Sequence, residues 1–490
     1  MGREKKAYVT TVGTSPEAVF NPIWYLAEAY SWIPDEVYLL WNEEVIEELS
    51  RVVELVERLS RAYGKEIRVH SEVSLKFDES DPVSFRELAL KLVKGLKEKG
   101  YEVIVDITPG RKFMSALLLG ASLAGGADEV TYLHLEDFRR YLGKLLFEVP
   151  MVKQRLFRKK ELTGKEGKLE ARRREGQSPS RFQVTREDLM ALLDSLYLDD
   201  VRRFQLKVGN QPIGSVHLGG RARLRINDYI ELDKELHGGH TMMKEAIIAG
   251  MNTFRNWGEL KNTIETLLRS GRPLYIGFDT NALMFRVPSK MLNEEAFYER
   301  GNLRFDFVYS DEVALEIGRQ VNRKLPYSQG PREYSNQPTP KARLASLALV
   351  ELERLRSLGV EKANSKRNAQ GDTKIALDYK SFAEEKHANV LVVTFDERAY
   401  AEMEAVSHSG LLPFRLEWDF SFGMTFECTW EELRDTIYTL AVTLGELNLH
   451  YLELHYELHG IWRGKNMEDW KNERLKLSGF EYGRVLEVLR

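Results

Sequence analysis

Four carboxylates in the second half of the chain fall where a divalent cation would need them. Asp279 directly follows the apolar run LYIGF, in the phrase FDTNALMF, and Asp396 follows VLVVT, in the phrase VVTFDERAY. Glu316 lies two turns into SDEVALEIGRQV, a helix that Ser310 is placed to cap, and Asp372 opens the helical stretch GDTKIALDYKSFA. Carboxylate oxygens are hard ligands that suit Mg²⁺ or Mn²⁺. A cation held by carboxylates with water positions left open activates water and stabilises charge on phosphoryl oxygens, which is the chemistry of phosphodiester hydrolysis. No histidine or cysteine is required. Glu312 lies one turn before Glu316 on the same helix face and is an alternative ligand, and Asp378 competes with Asp372.

The first half offers a different chemistry. VDITPGRKFMSALLLGAS reads as a strand, a short turn and a helix. Gly110 lets backbone approach a ligand closely, the helix start offers free N–H groups, and Arg111 and Lys112 add positive charge. TVGTSPEAVF repeats the arrangement, with Gly13, Thr14 and Ser15 in the turn and Pro16 starting a helix. Both turns suit phosphates. Trp41 and Asn42, after the second strand, are placed to hold a base. Neither turn is G-x-G-x-x-G and no G-x-x-x-x-G-K-[ST] occurs, so dinucleotide binding and P-loop hydrolysis lack their motifs.

The elements that position these groups follow from periodicity. Over residues 5–150, short β-type runs (AYVTTV, EVYLLW, Val103–Ile107, Val130–Leu135) alternate with amphipathic helical ones, which implies βαβ units and a mostly parallel, open Rossmann-like sheet. Lys153–Glu175 is a basic, linker-like stretch, either a solvated connector or an RNA-contacting arm. A helix is expected over Thr185–Tyr197, a strand over Ala222–Ile226 and a long helix from about Met242 to Arg269. From Pro273 the strand–helix alternation returns, with a polar loop over Tyr327–Pro340 that reads as an insertion. The last stretch, from Thr429, reads as mainly helical, with His455 and His459 one turn apart on a surface or interfacial face that lacks the HExxH order of a zinc site. The expected division is residues 1–150 (Rossmann-like domain), 151–270 (basic linker and connector module), 271–428 (second α/β domain) and 429–490 (helical tail).

Composition bounds the function. With 71 Lys and Arg against 75 Asp and Glu, the chain does not coat nucleic acid by bulk charge, so any such contact comes from local patches. A single cysteine, Cys428, excludes an internal disulfide and suits a reducing cytoplasm, the expected location. No run of eighteen or more apolar residues occurs, so no membrane helix is expected, and the N-terminal stretch lacks a signal peptide's apolar core.

Two resemblances add to this reading. Over about residues 273–405, the order DTN, helical glutamate, D-x-x-I-A and T-x-D resembles the PIN-domain nucleases. Carried over, the resemblance makes Asp279, Glu316, Asp372 and Asp396 catalytic metal-binding acids with Asn281 and Thr394 as supporting positions. It implies an α/β/α fold and cleavage of single-stranded RNA with Mg²⁺ or Mn²⁺. Over about residues 5–150, the TVGTSP opening and DITPGRK resemble the CRISPR-associated Rossmann fold (CARF) domains. That family dimerises and binds cyclic oligoadenylates made by type III CRISPR complexes. The implied ligand-binding residues are Gly13, Thr14, Ser15, Asn42, Thr108, Gly110, Arg111 and Lys112, with cyclic tetra-adenylate as allosteric activator. The expectation is an activator-gated, homodimeric endoribonuclease of antiviral defence. Two other readings are open: a ring nuclease degrading its activator in the CARF pocket, and a ligand-responsive regulator with an inactive PIN domain.

Overall fold

The computed structural model describes residues 4–170, 181–228, 239–324, 337–407, 410–452 and 454–479. The chain forms two compact units, one built on the first 182 residues with Glu187–Arg202, the other on Gln183–Arg186 and Arg203–Ser478.

The first unit is a six-stranded sheet in the order β3-β2-β1-β4-β5-β6. Its strands are β1 (Lys6–Thr11), β2 (Glu36–Leu40), β3 (Arg68–His70), β4 (Glu102–Asp106), β5 (Glu129–Leu135) and β6 (Gln154–Arg158). All neighbours pair in parallel except β6, which runs antiparallel to β5. Ala7, Tyr8 and Val9 of β1 and Val103, Ile104 and Val105 of β4 are fully buried, the continuous apolar run of strands covered on both faces. Helices α1 (Pro16–Tyr30), α2 (Ile46–Ala62), α3 (Pro82–Glu98) and α4 (Lys112–Gly125) connect them, α1 packing on α2 and α3 on α4. The chain leaves β1 toward β2 on one side and β4 toward β5 on the other, so right-handed crossovers put the helix pairs on opposite faces. The switch point between β1 and β4 opens a crevice beyond their carboxyl ends. The Rossmann-like α/β expectation holds.

The basic stretch expected as a linker begins inside this sheet. Gln154 and Leu156 of β6 are buried, and Arg158 and the Lys159 amide both meet the buried carboxylate of Glu129, at 3.2 and 2.7 Å. Charge density read alone hid that strand, because its cations neutralise an acid within the unit. The rest of the stretch, from residue 171, lies outside the described residues, as does most of the loop expected over Tyr327–Pro340.

The second unit contains two larger sheets. One is parallel, with the order β15-β14-β11-β16-β17: β11 (Leu274–Phe278), β14 (Asp306–Ser310), β15 (Glu361–Ala363), β16 (Asn389–Thr394) and β17 (Leu411–Arg415). A two-residue hairpin, β12 (Tyr298–Glu299) with β13 (Asn302–Leu303), precedes β14. The other sheet has eight strands, β18-β10-β9-β8-β19-β20-β21-β7, antiparallel from β18 through β21. Here β7 is Arg181–Thr185, β8 Arg203–Val208, β9 Gln211–His217, β10 Ala222–Ile226, β18 Thr425–Cys428, β19 Glu446–Tyr451, β20 Leu454–His459 and β21 Arg474–Ser478.

The elements of this unit correct several expectations. The expected connector and the expected tail contribute strands to one sheet. After the helix Trp430–Leu444 the tail is mainly β, because Leu447, Leu449, Tyr456 and Leu458 alternate inward with period two. The i,i+4 spacing of His455 and His459 therefore puts them on one face of a strand, both near Glu457. Thr185 ends β7 and does not cap a helix; the helix there is Leu189–Leu198. The long helix expected from Met242 is two, Gly239–Met251 and Trp257–Leu268, broken where Asn252 adopts φ +50°.

A buried ionic network ties the second unit together. Asp435 accepts from Arg186 at 2.8 Å and Arg286 at 3.0 Å, and the Ser289 amide donates to Glu351 at 2.9 Å. Burial alone would raise the Asp435 carboxyl, but Arg186, Arg434 and Arg286 outweigh it and hold it well below the usual range. Among the described residues no helix is long and apolar enough to cross a membrane.

Candidate functional site

Asp279 and Asp396 stand at the carboxyl ends of neighbouring parallel strands. Register pairs Phe278 with Val393, and the Asp279 amide donates to the Val393 carbonyl at 3.1 Å. Asp279 then caps the helix Thr280–Met284, one carboxylate oxygen accepting from the Ala282 amide at 2.6 Å. Asp396 caps the helix Glu397–Val406 through the Arg398 and Ala399 amides at 2.7 and 3.3 Å. Thr394 joins the two: its hydroxyl donates to the second oxygen of Asp279 and accepts from the Asp396 amide at 3.0 Å. Asp279 is buried and Asp396 exposed, so the pair runs from the sheet floor to the surface.

Glu316 reaches the same place from the helix Asp311–Val321, which Ser310 caps as expected. Its carboxylate accepts from the Thr280 hydroxyl, next to Asp279, and from the Gln320 amide at 2.9 Å. Asp372, half-buried in the first turn of the helix Gly371–Lys386, completes the group. Burial, then the charges of Asp396 and Glu316, raises the Asp372 carboxyl. Asp279 is pushed up to about 7 by burial and by Asp396 and Asp372, with the Thr394 hydroxyl and Ala282 amide pulling the other way. The four acids therefore share one electrostatic field, and like charges that raise one another's pKa are relieved by a cation. Among the described residues they do not close into a three-ligand shell. Carboxylate oxygens are the donor type that Mg²⁺ takes, one or two at a time with waters completing its shell.

The two competing acids have other partners. Glu312 is buried and pairs with Arg319. Asp378 is fully buried, accepting from the Ser310 hydroxyl, the Ser365 amide and Lys374 at 2.8, 2.8 and 2.9 Å. Asn281 is half-buried in the helix that Asp279 caps. Sequence reasoning missed Thr280 and Gln320, which hold Glu316, although Thr280 stands inside the phrase FDTNALMF. It also missed Tyr379. The Tyr379 hydroxyl receives the Phe278 and Ser310 amides at 3.0 and 3.2 Å and donates to the Phe278 carbonyl at 2.6 Å, bridging the ends of β11 and β14. Gly277 leaves room for that ring, since a Cβ there would lie 2.7 Å from it. A tyrosine two turns into an amphipathic helix gives no signal of this role.

In the first unit, a cavity of about 300 Å³ lies beyond the ends of β1 and β4. Gly13, Thr14, Ser15, Asn42, Thr108, Gly110 and Arg111 line it, seven of the eight expected residues. Lys112 is not in the lining and is exposed at the first position of α4. Gly110 adopts φ +93°, and a Cβ there would meet the Thr11 hydroxyl at 2.8 Å; a Cβ on Gly13 would crowd the Gly110 amide at 3.1 Å. Neither α1 nor α4 has a side-chain cap; this leaves the first amides of α4 available to an anion, whereas in α1 Pro16 has no N–H and the Ala18 amide donates to the Ser15 carbonyl at 3.0 Å. Trp41 does not line the cavity; its indole donates to the Ser71 carbonyl at 3.1 Å. Glu44 and Glu79, which were not expected, do line it.

No known protein-family profile matches the chain, and no curated protein matches it. Among solved structures, a type III CRISPR defence DNA nuclease activated by cyclic oligoadenylate overlaps 90% of this chain and 70% of its own, at 12% identity and a TM-score of 0.21. The N-terminal domain of Candida albicans trehalose-6-phosphate phosphatase overlaps 100% and 94%, at 10% identity and a TM-score of 0.14. At TM-scores this low the likenesses bear on neither fold nor function.

Proposed function

We propose that the chain is a cyclic-oligoadenylate-activated, divalent-metal-dependent endoribonuclease that cleaves single-stranded RNA in type III CRISPR antiviral defence. The observation that carries the reading is that Asp279 and Asp396 end neighbouring parallel strands and are joined through Thr394, with Glu316 held by Thr280 beside Asp279. The order of these acids along the parallel five-stranded sheet supports a PIN-type reading. Asp279, Asp396 and Asp372 would hold Mg²⁺ or Mn²⁺, with Glu316 oriented beside them by Thr280 and Gln320. When bound, the metal supplies an activated water and neutralises charge on the scissile phosphate. Thr394 fixes Asp279 and Asp396 relative to one another, and Asn281 is a supporting polar group at the rim.

The first unit is the sensor of CARF type. Its cavity offers glycine-lined loops, the uncapped start of α4 and Arg111 to a phosphodiester ring. The outer face of α4 (Phe113, Ala116, Gly120 and Ala124) is exposed and apolar, and no charged residue follows Lys112 within the helix. That face suits a homodimer, in which one two-fold activator binds both protomers and its preference for one dimer arrangement switches the nuclease on.

The test is cleavage of a labelled single-stranded RNA with Mn²⁺, with and without cyclic tetra-adenylate, beside Asp279→Asn; single-stranded DNA serves as the second substrate. Activator-dependent RNA cleavage that the variant loses is the expected result. Consumption of the activator without RNA cleavage would replace this reading with a ring nuclease. Duplex binding without any cleavage would replace it with a regulator.

A further inference from the structure

The cavity beyond β1 and β4 contains two acids that a site for bare phosphate does not need. The Arg111 guanidinium lies between them, 3.0 Å from Glu79 and 3.6 Å from Glu44. Glu79 is held there by its neighbours. Phe77, two residues earlier, packs on Phe85 at 4.6 Å and donates its amide to the Trp41 carbonyl at 2.9 Å. Asp78 accepts from the Ser80 amide at 2.8 Å, and Asp81 caps α3 through the Ser84 amide at 3.0 Å. Glu79 therefore sits at the tip of a turn anchored on both sides, its side chain only 21% exposed, while Glu44 is 73% exposed.

An anionic ligand that takes Arg111 leaves these carboxylates facing it. An ionised carboxylate is an acceptor only, so it repels a bare anion and favours a ligand that brings an O–H or N–H donor. A ribonucleotide has both kinds of group: phosphates for the loop amides and Arg111, and a ribose 2′-hydroxyl or base amine as donor. We propose that Glu79, with Glu44 beside it, is the specificity-determining acceptor of this pocket, receiving a nucleotide's hydroxyl or amine while the phosphate engages Arg111. This rests on the reading of the cavity as the cyclic-oligoadenylate site.

The two roles open to Glu79 predict opposite signs. If it only repels anions, removing its charge tightens every anionic ligand. If it accepts a donor, removing it weakens the nucleotide and tightens only the bare anion. Calorimetric titration of the full chain and its Glu79→Met variant with cyclic tetra-adenylate, its 2′-deoxy and inosine analogues, and pyrophosphate separates them. The expected result is that Glu79→Met weakens cyclic tetra-adenylate about 10-fold or more, as loss of a charge-assisted hydrogen bond does, and tightens pyrophosphate. Wild type would discriminate against whichever analogue lacks the recognised donor, and the variant would not, which tells hydroxyl from amine. Tightening of both ligands in the variant overturns the acceptor role alone. Wild type that binds pyrophosphate but no cyclic oligoadenylate overturns the sensor reading and this proposal with it.

Discussion

The Thr394 hydroxyl donates to the Asp279 carboxylate across the adjacent ends of β16 and β11. That bond draws the buried acid toward ionisation, against burial and against the charges of Asp396 and Asp372, which together set its pKa near 7. The balance makes the charge of the Asp279 carboxyl sensitive to pH close to neutrality.

Mn²⁺ affinity is therefore expected to rise as pH passes upward through about 7, where Asp279 becomes a carboxylate. Thr394→Val removes a stabilising donor and moves that rise to higher pH. Without metal the sign for stability is opposite. The folded pKa exceeds the unfolded value of roughly 4, so stability from this group is full below that value and is lost as pH rises through 7. Asp279→Asn should then melt above wild type at pH 8 without metal while abolishing cleavage. Metal titrations and melting curves from pH 5.5 to 8.5 check both; affinity that is flat across 7 would refute the assignment.

Glu316 and Glu312 are separable by substitution. Glu316→Gln should lower single-turnover cleavage by roughly 10- to 100-fold, the scale seen when a metal site's ligand support is removed. Glu312→Gln loses a pair with Arg319, itself 61% exposed, and should leave cleavage within a few-fold. The reverse ranking would transfer the role to Glu312.

The acids at the strand ends were legible because a buried parallel strand is a continuous apolar run and its carboxyl end is a fixed place. LYIGF followed by Asp279, and VLVVT followed by Asp396, state both facts in a few residues. The turn around Gly110 was legible because a glycine between a strand and a helix has a narrow set of uses. Lys112 stands one position beyond Arg111 and outside the cavity lining, since each step along a helix turns a side chain by about 100°. β19 and β20 were missed because Glu, His and Leu in ELNLHY and LHYELH satisfy either period, and only their pairing with one another and of β19 with β8 decides for strands. Glu79 had no signal at all, since its approach to Arg111 depends on the fold of the segment before α3.

Gly110→Ala should abolish activator binding and leave the metal site intact. At φ +93° a side chain is strained, by about 1–3 kcal/mol, and the new methyl would press on the Thr11 hydroxyl, itself bonded to the Pro109 carbonyl at 3.0 Å. The turn must then open, and the amides it presents are lost. Differential scanning fluorimetry should show a melting rise with cyclic tetra-adenylate for wild type only. Mn²⁺ titration should be unchanged. An equal ligand-induced rise in the variant would mean the activator binds elsewhere.

The apolar face of α4 tests whether sensing needs two copies. Met114, Leu118 and Ala121 of that helix are buried within the unit, yet Phe113, Ala116, Gly120 and Ala124 on the other side carry no charge to keep them in water. A surface helix normally has a polar outer face, and the small residues here allow another helix to approach closely. Ala116→Glu places one charge in the middle of that face, where burial would leave it unpaired. Light scattering after size exclusion should then give a dimer for wild type and a monomer for the variant. Activated RNA cleavage should fall with the dimer, while Mn²⁺ binding persists. A variant that stays dimeric and fully activatable would place the protomer contact on another surface and leave the α4 face without a role in signalling.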